Sequence, residues 1–241
     1  MKAVVITRPG GPEVLQLQDV PDPVPGPDDL LVRVRATALN RADILQRMGG
    51  YPQPGPKPAH DIPGMEYAGE VLAVGVRVEG FVPGDRVMGL LAGGGYAEQV
   101  VTHYRLAMKA PTNLSWEEAG ATPEVYITAH DALLQCGLVA GERVLIHAAG
   151  SGVGVAAVQI AKVLGASLVI GTAGSADKLV RAAALGLDAG VNYREQDFVE
   201  VVNYEMGGTG VDVILDMVGG DYIARDIRAL GVGGRIMVSA N

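Results

Sequence analysis

Residues 143–164 constrain this chain more than any other stretch. Val144, Leu145 and Ile146, with Ala148 close behind, read as a short buried strand. A glycine-rich turn, Ala149-Gly-Ser-Gly-Val-Gly154, follows at once. Val155 to Leu164 is apolar on one face, rich in Ala and free of Pro, which is a helix pattern. Strand, tight turn and helix in that order suit a dinucleotide pyrophosphate. No side chain blocks the phosphates, and the free amides and positive dipole end of the helix face the anion. The three positions of the usual G-x-G-x-x-G fall on Ala149, Ser151 and Gly154, while Gly150 and Gly152 add freedom nearby. The backbone of Ala149, Gly150, Ser151, Gly152, Val153 and Gly154 is therefore the candidate phosphate cradle. A flexible loop in some other α/β protein has the same composition, so the turn has to be read with its surroundings.

The 241 residues leave room for one large domain or two ordinary ones. With 49% hydrophobic residues but only 2 Phe, a core is available and must be filled by Val, Leu, Ile and Ala. The net charge of −8, without a long Lys/Arg cluster, argues against a general nucleic-acid surface. A single cysteine, Cys136, removes an intrachain disulfide and a multi-cysteine metal site. His60, His103, His130 and His147 show no zinc-ligand spacing, so no metal is expected, and His147 at the end of its strand reads as structural. No apolar run reaches membrane-spanning length and no leader is visible, so a soluble, cytoplasmic protein is expected.

Along the chain, the first 110 residues suggest short strands and glycine turns, at 1–8 (apolar over 3–6), 14–18, 30–38, 70–74, 85–91 and 96–102. One or two helical turns are expected at 44–47, and an irregular Pro- and Gly-rich loop over 49–63. This pattern has the flavour of a small barrel. Helical patterns appear at 116–120 and 127–136. Strand and helix then alternate: strands at 168–171, 189–192, 211–216 and 235–239, helices at 175–185, 197–206 and 223–230, with Ser175 a possible cap. The reading is α/β, with a barrel-like first domain over 1–120 and a parallel sheet covered by helices on both faces over 121–241. A doubly wound dinucleotide domain usually carries a sixth strand. The chain stops after the fifth, so the sheet is expected to be incomplete.

An NAD-selective site normally ends its second strand with Asp or Glu, which holds the ribose hydroxyls. Here small residues, Gly174 and Ser175, occupy that place, and Lys178 lies close enough to pair with a 2′-phosphate. That favours NADPH over NADH. The competing reading makes Lys178 an ordinary solvated lysine, and Asp177 complicates its charge. The fourth parallel strand ends at Asp216, and the backbone of Met217, Val218 and Gly219 is a candidate for cofactor contact, against the alternative that the glycines simply turn the chain.

Several blocks together resemble the zinc-independent quinone oxidoreductases, the zeta-crystallin group of the medium-chain dehydrogenase/reductase superfamily. They are Gly10-Gly-Pro-Glu-Val-Leu15, Ala38-Leu-Asn-Arg-Ala-Asp43, Pro63-Gly-Met-Glu66, Gly84-Asp-Arg-Val87, Gly93-Gly-Gly-Tyr-Ala-Glu98 and Gly141 to Lys162. Asn40-Arg-Ala-Asp43, Tyr51-Pro52 and Gly94-Gly-Tyr-Ala-Glu98 look closest to the p53-inducible branch. The resemblance implies a GroES-like substrate domain, then a Rossmann NADPH domain whose last strand and C-terminal return segment are absent here. It also implies a homodimer joined through nucleotide-domain sheet edges. Zinc-dependent relatives carry Cys where this chain has Asn40, and His where it has Met65. Asn40, Asp43 and Tyr51 resemble residues around the nicotinamide and substrate, and Thr128 a nicotinamide-side threonine. Gly174, Ser175, Lys178 and Tyr193 match residues around the adenosine 2′-phosphate.

The expected activity is reduction of a quinone by NADPH without a metal. Asn40 and Tyr51 would donate hydrogen bonds to the developing oxyanion, Tyr51 or water would deliver a proton, and Asp43 would orient its neighbours. Local loop capping competes for Asn40, and a plain pocket wall for Tyr51. The nearest rival is an NADPH-dependent alkenal or enone double-bond reductase. A non-catalytic NADPH-binding or RNA-binding protein is the rival of a different class, since some zeta-crystallins serve in the lens or bind AU-rich RNA.

Overall fold

A computed structural model describes residues 1–51 and 58–239. The central part of the loop expected over 49–63 and the last two residues lie outside the described residues. The chain divides into two compact units, Met1–Glu124 and Val125–Asn241.

In the first unit, β1 (Lys2–Ile6) and β2 (Leu15–Asp19) form an antiparallel pair. There follow β3 (Asp29–Ala36), α1 (Arg41–Arg47), β4 (Glu66–Val74), β5 (Arg86–Leu90), β6 (Gln99–His103), β7 (Ala107–Lys109) and α2 (Trp116–Gly120). The five later strands make one antiparallel sheet in the order β6-β3-β4-β5-β7. Leu30 and Val32 of β3 are fully buried against Tyr67, Val71 and Val87, while Arg33 and Arg35 further along the strand point outward, as period-two alternation requires. Two register shifts between β3 and β4 curl the sheet into a half-barrel. Gly69 permits one of them, because a Cβ there would lie 2.1 Å from the Arg33 carbonyl oxygen.

Several readings of this unit need correction: the strand expected at 70–74 starts at Glu66 and the helix expected at 44–47 starts at Arg41. The strand expected over 96–102 begins only at Gln99, because the amides of Gly95 and Tyr96 bond to the carbonyls of Gly64 and Pro63 and Ala97 bridges Ala3 instead of β3. The strand β7 went unread, since three residues are too few to display alternation.

The second unit is built from α3 (Pro123–Gln135, which begins at the boundary), β8 (Arg143–Ile146), α4 (Gly152–Val163), β9 (Leu168–Ala173), α5 (Ala176–Ala183), β10 (Ala189–Asn192), α6 (Phe198–Glu205), β11 (Val211–Asp216), α7 (Tyr222–Ala229) and β12 (Leu230–Val238). Its sheet is parallel throughout, in the order β10-β9-β8-β11-β12. Both faces are covered. Val144, Ile146, Val213 and Leu215 pack with Ala129 and Leu133 of α3 and Ala157 and Ala161 of α4. Leu145, Ile170 and Ile214 pack with Phe198, Val202 and Ala229 on the other side.

The strand order reverses between β8 and β11. That switch point brings the carboxyl ends of these two strands beside one crevice, where open α/β sheets receive their ligands. The helix after β8 starts at Gly152 rather than Val155, because Ser151 caps it: its Oγ accepts the Gly154 amide at 3.1 Å. Pro123 opens α3 four residues before the expected start, a favoured place for proline. Ser175 is the N-cap residue of α5, as expected, although its side chain makes no capping bond.

Candidate functional site

The turn between β8 and α4 lies against backbone at Gly154 and against neighbouring side chains at Gly150 and Gly152, which leaves little space for a Cβ. A Cβ on Gly154 would lie 2.3 Å from the Ala148 carbonyl oxygen and 2.7 Å from the Ala149 Cα. One on Gly152 would meet Val125 of α3 at 2.8 Å, and one on Gly150 would meet the Lys178 stem at 2.7 Å. The Ala149 amide bonds to the Thr172 carbonyl on β9 at 2.8 Å, and the Ser151 amide to the Ala148 carbonyl at 2.8 Å. Ser151 then takes the Gly154 amide on its hydroxyl and the Val155 amide on its carbonyl. The first two helical amides, those of Gly152 and Val153, have no acceptor within the helix. Small residues, two such donors and the positive helix end fit a pyrophosphate group.

At the end of β9 the structure brings Gly174, Tyr193 and Arg194 together. A Cβ on Gly174 would lie 2.5 Å from the Tyr193 hydroxyl and 3.4 Å from the Arg194 Nε. Lys178 is exposed on the first turns of α5 with its stem across Gly150, which links this corner to the phosphate turn. Among the described residues, neither Lys178 nor the Arg194 guanidinium makes an ion pair. Ser175 is half-buried beside them. No acid ends the strand; Asp177 sits in the first turn of α5 and is exposed. Arg194 was missed in the sequence, although a cation directly after Tyr193 was the available signal.

Beyond β11 the reading of Met217, Val218 and Gly219 narrows. Asp216 is fully buried, and its Oδ1 accepts the Val218 and Gly219 amides at 2.7 and 3.0 Å. These two donors face the chain's own carboxylate, so any cofactor contact here falls to other backbone groups. Thr128 is half-buried on α3, one helical turn beyond Val125.

In the first unit, the entrance to α1 gathers Asn40, Asp43, Glu66 and Tyr96. Asp43 Oδ2 accepts the Asn40 amide at 2.8 Å and the Tyr96 hydroxyl at 2.9 Å, while its Oδ1 accepts the Gly64 amide at 3.0 Å. Asp43 thus orients three groups. Asn40 Nδ2 donates to Glu66 Oε1 at 2.8 Å, so one of its two amide hydrogens is committed inside the chain. Glu66 is almost fully buried and also accepts the Glu124 amide at 2.9 Å. Burial pushes its carboxyl above the usual range, partly offset by these two donors. Burial, then the bond to Asp43, holds the Tyr96 phenol above its ordinary value. Tyr51 is half-buried and makes no hydrogen bond with the described residues. Glu66 and Tyr96 lay inside quoted motifs but were not singled out, because their partners come from distant strands.

Among the described residues, no group of three or more His, Cys, Asp and Glu side chains could hold a metal ion, and no helix is long and apolar enough to cross a membrane. Residues 26–112 match the alcohol dehydrogenase GroES-like domain, and residues 152–241 the zinc-binding dehydrogenase family. The quinone oxidoreductase of Lama guanicoe is 36% identical over 241 residues, covering 99% of this chain and 72% of that protein. A solved NAD-dependent alcohol dehydrogenase is 41% identical with a TM-score of 0.92, and the match covers all of this chain and 78% of the other. The CurK enoyl reductase structure is 33% identical with a TM-score of 0.90, covering 98% and 73% of the two chains.

Proposed function

The chain belongs to the medium-chain dehydrogenase/reductase superfamily and is a nicotinamide-dependent oxidoreductase, and from that premise we propose that it transfers reducing equivalents from NADPH to a quinone. One observation carries the choice of NADPH. The corner beside the phosphate turn holds Lys178, Arg194 and the Tyr193 hydroxyl and has no strand-end carboxylate. A 2′-phosphate there meets two cations and a hydroxyl, whereas a bare ribose finds no acid to accept its hydroxyls.

The bound nicotinamide supplies the hydride. The residues of the chain do the rest. Ala149 to Gly154 hold the pyrophosphate, Gly174 and Ser175 make room for the adenosine end, and Thr128 with the 217–219 backbone contacts the nicotinamide side. Asn40, through its uncommitted amide hydrogen, and Tyr51 donate to the acceptor oxygen as it gains charge, with Asp43 holding the loop that carries Asn40. Asn40 and Met65 occupy the positions of two ligands in zinc-dependent relatives, which supports acceptor activation by these donors. The likeness to an enoyl reductase structure favours a second reading, hydride delivery to an activated C=C bond.

Titration of NADPH and NADH against the wild type and Lys178→Ala tests the cofactor assignment. Loss of one charge-assisted bond is expected to weaken NADPH about tenfold or more and NADH much less. Equal weakening of both removes the 2′-phosphate assignment. Turnover of 9,10-phenanthrenequinone beside an enone separates the two acceptor classes.

A further inference from the structure

We propose that Asp226, His147 and Thr172 are positioning residues that hold the phosphate turn in its binding shape, through a buried hydrogen-bond relay that ends on the Ala148 amide. This rests on the reading of residues 149–154 as the pyrophosphate site.

Ala148 is the point that needs holding. Among the described residues it is the one non-glycine with positive φ, at 50°, a left-handed conformation that a Cβ disfavours. Its carbonyl receives the Ser151 amide, and Gly154 lies against that carbonyl oxygen. If Ala148 relaxed to negative φ, the carbonyl would swing away and the start of α4 would lose its seat.

Thr172 on β9 opposes that relaxation. Its hydroxyl accepts the Ala148 amide at 3.3 Å, and its carbonyl accepts the Ala149 amide at 2.8 Å. The same hydroxyl lies 3.0 Å from His147 Nδ1, and His147 Nε2 lies 2.8 Å from Asp226 Oδ1 on α7. One arrangement gives each of the three bonds one donor and one acceptor, with a neutral imidazole. Ala148 donates to the Thr172 oxygen, the Thr172 hydroxyl donates to Nδ1, and Nε2–H donates to the Asp226 carboxylate. All the donors point the same way, from the turn towards α7.

Packing alone does not call for these residues. His147 and Asp226 are fully buried and Thr172 nearly so, and the imidazole lies edge-on to Phe198 and Tyr222, with ring centroids at 4.6 and 4.9 Å. Among the described residues, Asp226 Oδ2 has no hydrogen-bond partner. Apolar side chains would fill this layer without desolvating a carboxylate. What they could not supply is a directional acceptor for the Ala148 amide.

The test compares Thr172→Val, which keeps the shape and removes the hydroxyl, with Thr172→Ser, which keeps the hydroxyl. Val191→Ala is the control: it opens the same core beside Thr172 without touching the relay. Thr172→Val is expected to weaken NADP⁺ and NAD⁺ alike, by up to about tenfold, and to leave adenosine 2′-monophosphate, which lacks the pyrophosphate, unchanged. Thr172→Ser restores dinucleotide affinity, and Val191→Ala lowers the melting temperature without the affinity loss. Wild-type affinity in Thr172→Val, or the same loss in Val191→Ala, overturns the relay. Nitrogen-15 NMR of the free protein is expected to find the His147 proton on Nε2, and a proton on Nδ1 overturns the donor order. If the wild type binds neither dinucleotide, the pyrophosphate reading fails, and amide exchange still judges the relay. Ala148 and Ala149 then exchange faster in Thr172→Val than in Val191→Ala, and equal rates overturn it.

Discussion

The entrance to α1 is tied into its unit by a carboxylate, whereas the entrance to α4 has only a hydroxyl at its cap. Asp43 brings a carboxylate to the amides of Asn40 and Gly64 and to the Tyr96 hydroxyl. Ser151 brings only a hydroxyl, which satisfies Gly154 and leaves the amides of Gly152 and Val153 without an intrahelical acceptor. The carboxylate at α1 gathers the Asn40 and Gly64 amides and the Tyr96 hydroxyl, whereas the positive end of α4, among the described residues, has no anion of its own chain bonded to it. The first fixes a loop, and the second is the site proposed for the pyrophosphate. The difference lies in one side chain at each entrance, Asp43 against Ser151.

The largest effect that would sharpen this contrast comes from Gly154→Val. The added carbons would overlap the Ala148 carbonyl and the Ala149 Cα, which are backbone atoms and cannot swing aside. Dinucleotide binding should be lost, with a stability loss of about 1–3 kcal/mol from overpacking. Calorimetric titration and thermal melting read the two effects separately. Retained affinity would mean that the close approach of α4 to the turn is not what shapes the cradle.

A smaller effect is expected from Asp43→Ala. It leaves three donors around a nearly buried site without their acceptor and should cost roughly 2–4 kcal/mol in the first unit. The Tyr96 phenol should titrate closer to its ordinary value once the neighbouring carboxylate is gone, which absorbance can follow. Dinucleotide affinity should stay as it was. A parallel loss of affinity would break the distinction between a tied entrance and a binding one.

The sequence was most legible where one period or one turn decides the structure. The parallel strands 189–192 and 211–216 and the helix at 116–120 were read to the residue, because each is a short run bounded by strong turn signals. The glycine turn was legible for the same reason. Boundaries slipped where a side-chain cap overrides composition: Ser151 starts α4 three residues early, among glycines that look unhelical. Within the candidate site, residues were readable as motif members but not as partners. Asn40 read as a free donor, and its bond to Glu66 spans 26 residues of sequence. Asp226 and Thr172 carried no local signal, since their meaning depends on α7 and β9 both packing beside His147. The switch point that aligns strands β8 and β11 is a property of strand order, which no window of sequence contains.

The weakest expected effect separates the two units by the sign of their response to pH. Glu66, in the first, is held above the usual carboxylate range mainly by burial. The folded state therefore binds its proton more tightly than the unfolded chain does. Stability from this group is present in acid and is lost as pH rises from the ordinary Glu range through the raised value. Asp212, in the second, is held below the usual range, first of all by its bonds to Arg143. Its contribution is present at neutral pH and is lost as pH falls below the ordinary Asp value through the lowered one. The Arg143–Asp212 pair is partly exposed, so its share should not exceed about 1 kcal/mol. Acidification should thus favour the first unit and weaken the second. Amide exchange in each unit, corrected for the intrinsic pH dependence of exchange, measures the two slopes, and Glu66→Gln and Asp212→Asn should each flatten one and leave the other. Slopes of the same sign in both units would show that neither carboxylate governs its own unit, and the contrast would then rest on the amides alone.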